Sequence, residues 1–325
     1  MRGVAAINGI AFVFALLASS AAVWLLRPAS PPEVGVRHAS EATPRPSDNL
    51  IDLVGTPIPR RDYRRIISAS TVSDAVLVEI CEPDRVVAFG AYGEGRGARG
   101  FRYAGKPTIE HLEDLERVLA FRADLILVNG TADPRPVARL RGAGLVVFDL
   151  GETRGLSTLI PQIHAIAEML GHPERGGSFA RAIVEQMTAV AADVPPSARK
   201  RGMYLSVYGD TILGGAKATS YADVLSAAGV LDAASAYRNW PRYNAEQVLM
   251  MDPEVIVTNT GMRPRICGRP GLSMLSACKT PDHIVEVDGS LLGDPGPSMI
   301  DAARVIRTAL YGLPASPLTR TRTGQ

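Results

Sequence analysis

Two stretches of this chain repeat one design 130 positions apart: Glu116-Arg-Val-Leu-Ala-Phe-Arg-Ala-Asp-Leu-Ile-Leu-Val-Asn129 and Glu246-Gln-Val-Leu-Met-Met-Asp-Pro-Glu-Val-Ile-Val-Thr-Asn259. Each reads as a short helix opened by a glutamate, a tight turn, and a four-residue apolar run suited to a fully buried parallel strand. The offset is far longer than a solenoid period of roughly 20 to 50 residues. It therefore describes two α/β lobes facing each other, with a groove between them where a ligand can sit. At 325 residues the chain has the length of about two domains. With 35 Lys and Arg against 33 Asp and Glu, it lacks the basic footprint of a nucleic-acid binder.

The N-terminus sets the compartment. Residues 3–26 carry no charge, and Arg2 and Arg27 flank them. Such a run is long enough to span a bilayer, so residues 1–27 are read as either a signal anchor or a cleaved signal peptide. No cysteine stands near it, so no lipidated-cysteine anchor is expected. Residues 28–60, with seven prolines, are expected to form an extended tether. Residues 314–325 are expected to be a disordered tail.

Between these ends the pattern alternates. Strands are predicted at Arg65 to Ser70, Val86 to Phe89, Leu125 to Val128 and Leu145 to Phe148. Helices are predicted around Ser73 to Ile80, Ile109 to Phe121 and Pro136 to Arg141. This is an N-terminal lobe over 61–155. Two successive helices over 156–196 follow: Gly171 stops the first, and Pro173 with Glu174 opens the second. The second is expected to be about 20 residues long, roughly 30 Å, which is a lobe-to-lobe distance. A C-terminal lobe over 197–313 has strands at Met203 to Val207, Val255 to Thr258 and Ile284 to Val287, and helices near Tyr221 to Ala228, Asn244 to Met250 and Ser298 to Leu310. The fold class is α/β: two Rossmann-like lobes with mainly parallel sheets, joined by one long bridging α-helix. A single helical crossing predicts a stiff pair with limited closure.

Taken in order, Arg65-Ile-Ile-Ser-Ala-Ser, Asp84-Arg-Val-Val-Ala, the Glu116 segment, Leu140-Arg-Gly-Ala-Gly-Leu-Val-Val-Phe, the helical bridge, Tyr221-Ala-Asp-Val-Leu-Ser-Ala-Ala-Gly-Val, Trp240-Pro, Asn244-Ala-Glu-Gln-Val-Leu and Gly296-Pro form a series. From about Arg64 to Gly312 it resembles the helical-backbone class (class III) of periplasmic solute-binding proteins. Those serve ABC importers of ferric siderophores, vitamin B12 and haem. The resemblance implies a non-enzymatic, extracytoplasmic receptor that needs no cofactor of its own and delivers a chelate to a permease. It also implies that Glu116 and Glu246 dock into permease arginines, a role compatible with stabilising their own helix dipoles.

Ligands of open α/β sheets lie outside the carboxyl ends of the strands. In lobe one this selects Tyr92, Arg96, Arg99 and Tyr103, with Arg102 beside them. In lobe two it selects Tyr208, Lys217, Trp240, Arg263 and Arg265, with Arg242 and Tyr243 nearby. Arginine forks suit carboxylate and catecholate oxygens, and aromatic rings cover flat apolar surface, so the expected ligand is a bulky anionic metal chelate. A ferric siderophore comes first, cobalamin or haem next. Lys106-Pro107 replaces the aromatic that the family usually carries before the first docking helix, which departs from the vitamin B12 pattern. Cys267 and Cys278 either close a short loop in an oxidising compartment or remain free thiols, and Cys81 is left over.

Rival readings are a membrane-anchored sensor or scaffold that keeps a solute-binding fold, and a dinucleotide-dependent enzyme suggested by the glycine-rich stretch after Phe89. The second lacks a helix opening behind its glycines. The histidines are scattered, so no metal site is expected, and no nucleophile elbow is present.

Overall fold

A computed structural model of the chain describes residues 49–90, 100–109, 111–130, 134–293 and 295–312. The N-terminal apolar run, the tail, Tyr92, Arg96 and Arg99 lie outside the described residues.

Lobe one begins earlier than expected. Strands β1 (Asn49–Ile51) and β2 (Pro57–Pro59) form an antiparallel hairpin where a tether was anticipated. Asp52 explains it. Its buried carboxylate accepts the Val54 and Thr56 amides across the turn, and an ion pair with Arg141 at 2.9 Å fastens the hairpin to the lobe. The parallel strands β3 (Ile66–Ser68), β4 (Val86–Gly90), β5 (Thr108–Ile109), β6 (Leu125–Val128) and β7 (Val147–Asp149) stand in the order β5-β4-β3-β6-β7. Helices α1 (Thr71–Ile80), α2 (Leu115–Ala120) and α3 (Arg135–Gly142) connect them. The helix anticipated from Ile109 contracts to α2. Ile109 is drawn into β5 by pairing with Gly90, and Asp114 caps α2 at the Arg117 amide.

The bridge is a helical hairpin, α4 (Leu156–Met169) and α5 (Pro173–Val190), with Gly171 at φ +77° in the turn. The two pack closely: a Cβ on Gly176 would lie 2.2 Å from that of Ala167. Helix α5 has 18 residues, about 27 Å by helical rise. Near its start Arg175 pairs with Glu82 of lobe one at 2.7 Å, and near its end Gln186 accepts from Arg304 of lobe two at 3.1 Å.

Lobe two contains β8 (Arg201–Tyr208), β9 (Thr211–Gly215), α6 (Ser220–Ala227), β10 (Leu231–Asp232), β11 (Arg242–Tyr243), α7 (Ala245–Met251), β12 (Val255–Asn259), α8 (Arg263–Cys267), α9 (Ser276–Lys279), β13 (Ile284–Val287), α10 (Gly289–Leu292) and α11 (Met299–Tyr311). The sheet order is β11-β9-β8-β12-β13, with β10 alongside β8. Strands β8, β12 and β13 are parallel. Strand β9, missed in the sequence, folds back antiparallel on β8 through the turn at Gly209 and Asp210. One core runs from Ile66 and Leu77 of lobe one through Ile163 and Ile183 of the bridge to Val257 and Ile306 of lobe two. Smaller cores cover the outer face of each sheet.

Candidate functional site

The repeated segments occupy equivalent places. Helix α2 leads into β6, which lies between β3 and β7; helix α7 leads into β12, which lies between β8 and β13. Each helix is opened by a side-chain cap: Asp114 accepts from Arg117 N–H at 3.1 Å, and Asn244 from Gln247 N–H at 2.8 Å, with Gln247 reaching back to the Asn244 amide. Glu116 and Glu246 follow as second residues of their helices. Both are exposed, and neither carboxylate has an ion-pair partner among the described residues.

The lobes meet where the chain leaves β7. Arg154 is fixed by Glu152 at 2.6 Å, and its guanidinium lies 3.4 Å from Asn239 Oδ1 across the junction. The Leu156 amide donates to Asp223 of α6 at 2.7 Å. Burial pushes the Asp223 carboxyl up, and that hydrogen bond acts the other way. Gly155 is required here, since a Cβ would fall 2.3 Å from Asp223 Oδ2 and 3.0 Å from the Ser220 amide.

On the lobe-two side the Asn239 amide donates to the Lys217 carbonyl, and Asn239 O accepts from Ala216 N–H. The structure thus brings together Lys217, Arg238, Asn239 and Trp240, the last 43% exposed, opposite Arg154. Ala218 and Asn239 hold positive φ of 69° and 59° in this strip. Tyr208 is half-exposed but sits at the far end of the β8–β9 hairpin, on the order of 15–20 Å from Lys217 by strand rise. Arg265 is exposed on α8. Arg263 is turned away: its guanidinium donates to the Pro281 carbonyl at 2.6 Å, and its amide to Glu286. Arg242 is exposed on β11, while the Tyr243 ring is packed edge-on against Tyr237.

Tyr103 requires a correction. It is 6% exposed, and its hydroxyl donates to the Leu77 and Cys81 carbonyls at 3.0 and 2.7 Å, so it closes the end of α1 rather than facing a ligand. Burial pushes this phenol above its ordinary range. Periodicity could not separate a core tyrosine from a loop tyrosine in so glycine-rich a neighbourhood.

Sequence reasoning missed three features. Arg154 and Asn239 carry the polar contact between lobes. Tyr204 stacks on Tyr221, with ring centroids 3.8 Å apart, its hydroxyl 3.4 Å from Asn259 Nδ2; burial raises both phenols. Ser68, Ser70 and Ser73 join hydroxyls at 2.6 and 2.8 Å beside buried Asp74, below Gly90 at the end of β4. The adjacent Gly214 and Gly215 were the available signal for the second: a Cβ on Gly215 would lie 2.3 Å from the Tyr221 ring. Cys267 and Cys278 form a disulfide, and Cys81 is a buried free thiol that burial pushes up to about 11. Among the described residues no cluster of His, Cys, Asp and Glu could hold a metal ion, and no helix is long and apolar enough to cross a membrane.

Comparison with known proteins extends this picture. An uncharacterized ABC transporter substrate-binding lipoprotein of Bacillus subtilis is 23% identical over 211 residues, covering 61% of this chain and 65% of the relative. A cobalamin-binding protein of Halobacterium salinarum is 24% identical over 199 residues, covering 60% of this chain and 53% of the relative. The chain thus spans about half to two thirds of these relatives. Among solved structures, a possible iron-binding (periplasmic solute-binding) protein of Staphylococcus epidermidis superposes with a TM-score of 0.68 at 16% identity, over 77% of this chain and all of that one. The model of the periplasmic binding protein family matches residues 66–288, from β3 through both lobes and the bridge to the end of β13. With two sheets fastened to one helical hairpin and a family match across all three parts, the chain belongs to the periplasmic binding protein family.

Proposed function

We propose that this protein is the extracytoplasmic substrate-binding component of an ABC importer. It captures a metal chelate between its lobes and presents it to the permease through Glu116 and Glu246. The observation that carries this reading is the paired placement of those glutamates: two exposed carboxylates without ion-pair partners among the described residues, on capped helices at equivalent positions of the two sheets. Charges at a rim orient a partner more than they tighten it, which suits repeated docking and release. Lys217, Arg265 and Trp240 supply cations and an aromatic face for a bulky anionic ligand. Tyr208 and Arg263 need local rearrangement to join them, while Tyr92, Arg96 and Arg99 are the lobe-one candidates. A ferric siderophore leads, followed by cobalamin and haem. The cobalamin-binding relative supports that panel, and the fold shared with a possible iron-binding protein is compatible with it.

Native mass spectrometry and visible absorption of the purified chain, exposed in turn to ferric siderophores, cobalamin and haem, are expected to give a one-to-one complex with one class. A folded protein that binds none sinks the chelate reading. Replacing Glu116 and Glu246 together by Ala is expected to abolish uptake while leaving affinity for the bound chelate unchanged; unaffected uptake would rule out the docking role.

A further inference from the structure

We propose that lobe two docks through a composite surface in which Met250 and Met274 place an apolar contact beside the Glu246 carboxylate, held in shape by the Cys267–Cys278 disulfide. The partner it fits is the outer face of a membrane permease presenting a basic side chain flanked by apolar ones. This rests on the docking role proposed above and adds the contact that gives it grip.

Helix α7 buries Val248, so Glu246 and Met250, four residues apart, share its outward face. Met250 is 83% exposed and Met274 is 66% exposed, more than any other large apolar side chain among the described residues. The segment carrying Met274 is moulded to α7 from end to end. At one end Gly271, at φ +88°, comes so close that a Cβ would lie 3.0 Å from that of Ala245. At the other, Ser276 Oγ lies 3.4 Å from Asp252 Oδ1. Between them Leu272 and Leu275 are fully buried, which turns the intervening Met274 outward beside the helix.

Three further ties hold this segment. The disulfide joins its two flanking helices, with Cα atoms 5.5 Å apart. Arg269 donates to the Gly209 and Asp210 carbonyls at 3.1 and 2.6 Å, anchoring it to the β8–β9 turn. A chain that spends a disulfide and a buried leucine pair on a loop presenting one methionine to solvent has built a surface, not a connector. Thioether side chains are flexible and polarisable, suited to a partner that must bind and leave. An apolar centre ringed by charge is also how interfaces concentrate their binding energy. Lobe one has a weaker counterpart: Ala120 stands at the repeat position of Met250, and the exposed apolar side chain of α2 is Leu119, 42% exposed and three residues after Glu116, with no disulfide-held methionine beside it among the described residues. Charge is therefore common to both docking faces, and the larger, disulfide-braced apolar contact belongs to lobe two.

The test is in-cell photocrosslinking of the full-length chain in its source organism, with benzoylphenylalanine placed in turn at Met250, Met274, Ala120 and, as a control, exposed Val184 of the bridge. The expected result is that 250, 274 and 120 capture an integral membrane subunit of an ABC importer and 184 does not. If 120 reaches the permease while 250 and 274 capture nothing, or only a second copy of this chain, the composite surface is overturned and the docking reading stands. If none of the three reaches it, both fall. In a permease reconstituted in nanodiscs, Met250→Ser with Met274→Ser is expected to weaken docking about tenfold. A change below about twofold, with an unchanged melting temperature, also overturns the proposal.

Discussion

The two lobes are fastened to the bridge by different means, and the contrast separates what the internal repeat shares from what each lobe supplies on its own. In lobe one Arg85, just after α1, donates to the Tyr63 carbonyl at 2.9 Å and to the Leu170 carbonyl, at the end of α4, at 3.2 Å. In lobe two Arg307 of α11 is 1% exposed and donates to the Val190 carbonyl at the end of α5 at 3.0 Å, with Asp193 at 3.5 Å. One buried arginine per lobe thus satisfies a helix terminus of the hairpin. The arginines come from non-equivalent elements of the two lobes. The glutamate helices instead hold equivalent places and repeat one residue pattern. Around them the lobes differ: lobe one keeps an all-parallel main sheet, while lobe two adds the antiparallel β9 and a disulfide-bound loop against α7.

Removing either arginine has the largest expected effect. Arg307→Met or Arg85→Met is expected to cost about 3 kcal/mol, because charged donors to buried carbonyls are lost. Urea unfolding followed by both circular dichroism and tryptophan fluorescence measures this. The two signals should stay coincident, since one core crosses both lobes; separate transitions would show the lobes to be independent.

A smaller effect tests the asymmetry. Cys267→Ser with Cys278→Ser should cost about 2 kcal/mol, the low end for so short a loop. The loss should appear as faster hydrogen exchange over residues 267–278 and α7, while α2 is unchanged. Equal exchange at α2 and α7 would mean that the loop does not support its helix.

The smallest effect concerns the lobe-one end of the bridge. At Glu82 burial acts upward, but hydrogen bonds from Arg175 and then from its own amide, with His172 beside them, outweigh it and lower the pKa to about 2. A carboxylate depressed in the folded state contributes stability that is present above its unfolded pKa of about 4.5 and is lost as pH falls through about 2. The side chain is 43% exposed, so after screening the contribution is below about 1 kcal/mol. Glu82→Gln should lower stability near neutrality by that small amount, flatten the acid limb of the stability curve between those pH values and leave stability at pH 2 little changed. A matching loss at pH 7 and pH 2 would assign its role to packing instead.

Much of the fold was legible because buried parallel strands leave unbroken apolar runs. Leu125–Val128 and Ile284–Val287 were bounded correctly, and Gly171 marked the turn of the bridge. Strand β9 was not legible. Thr211-Ile-Leu-Gly-Gly215 has no long apolar run, and its glycines mark where the Tyr221 and Tyr243 rings press on the sheet rather than a loop. The hairpin at Asn49 to Pro59 was hidden by its prolines, which are tolerated because β1 and β2 pair only with each other.

The two-lobed plan, the positions of Glu116 and Glu246, and the helical bridge are carried by residue order, because each depends on local periodicity and on a repeated pattern. Tertiary structure alone decided that Tyr103 belongs to the core, that Arg263 is spent on a backbone carbonyl, that Arg154 meets Asn239 across the junction, and that Met274 stands beside Met250. Those outcomes depend on which distant groups satisfy a buried donor or cover an apolar side chain. No spacing along the chain encodes that partner choice.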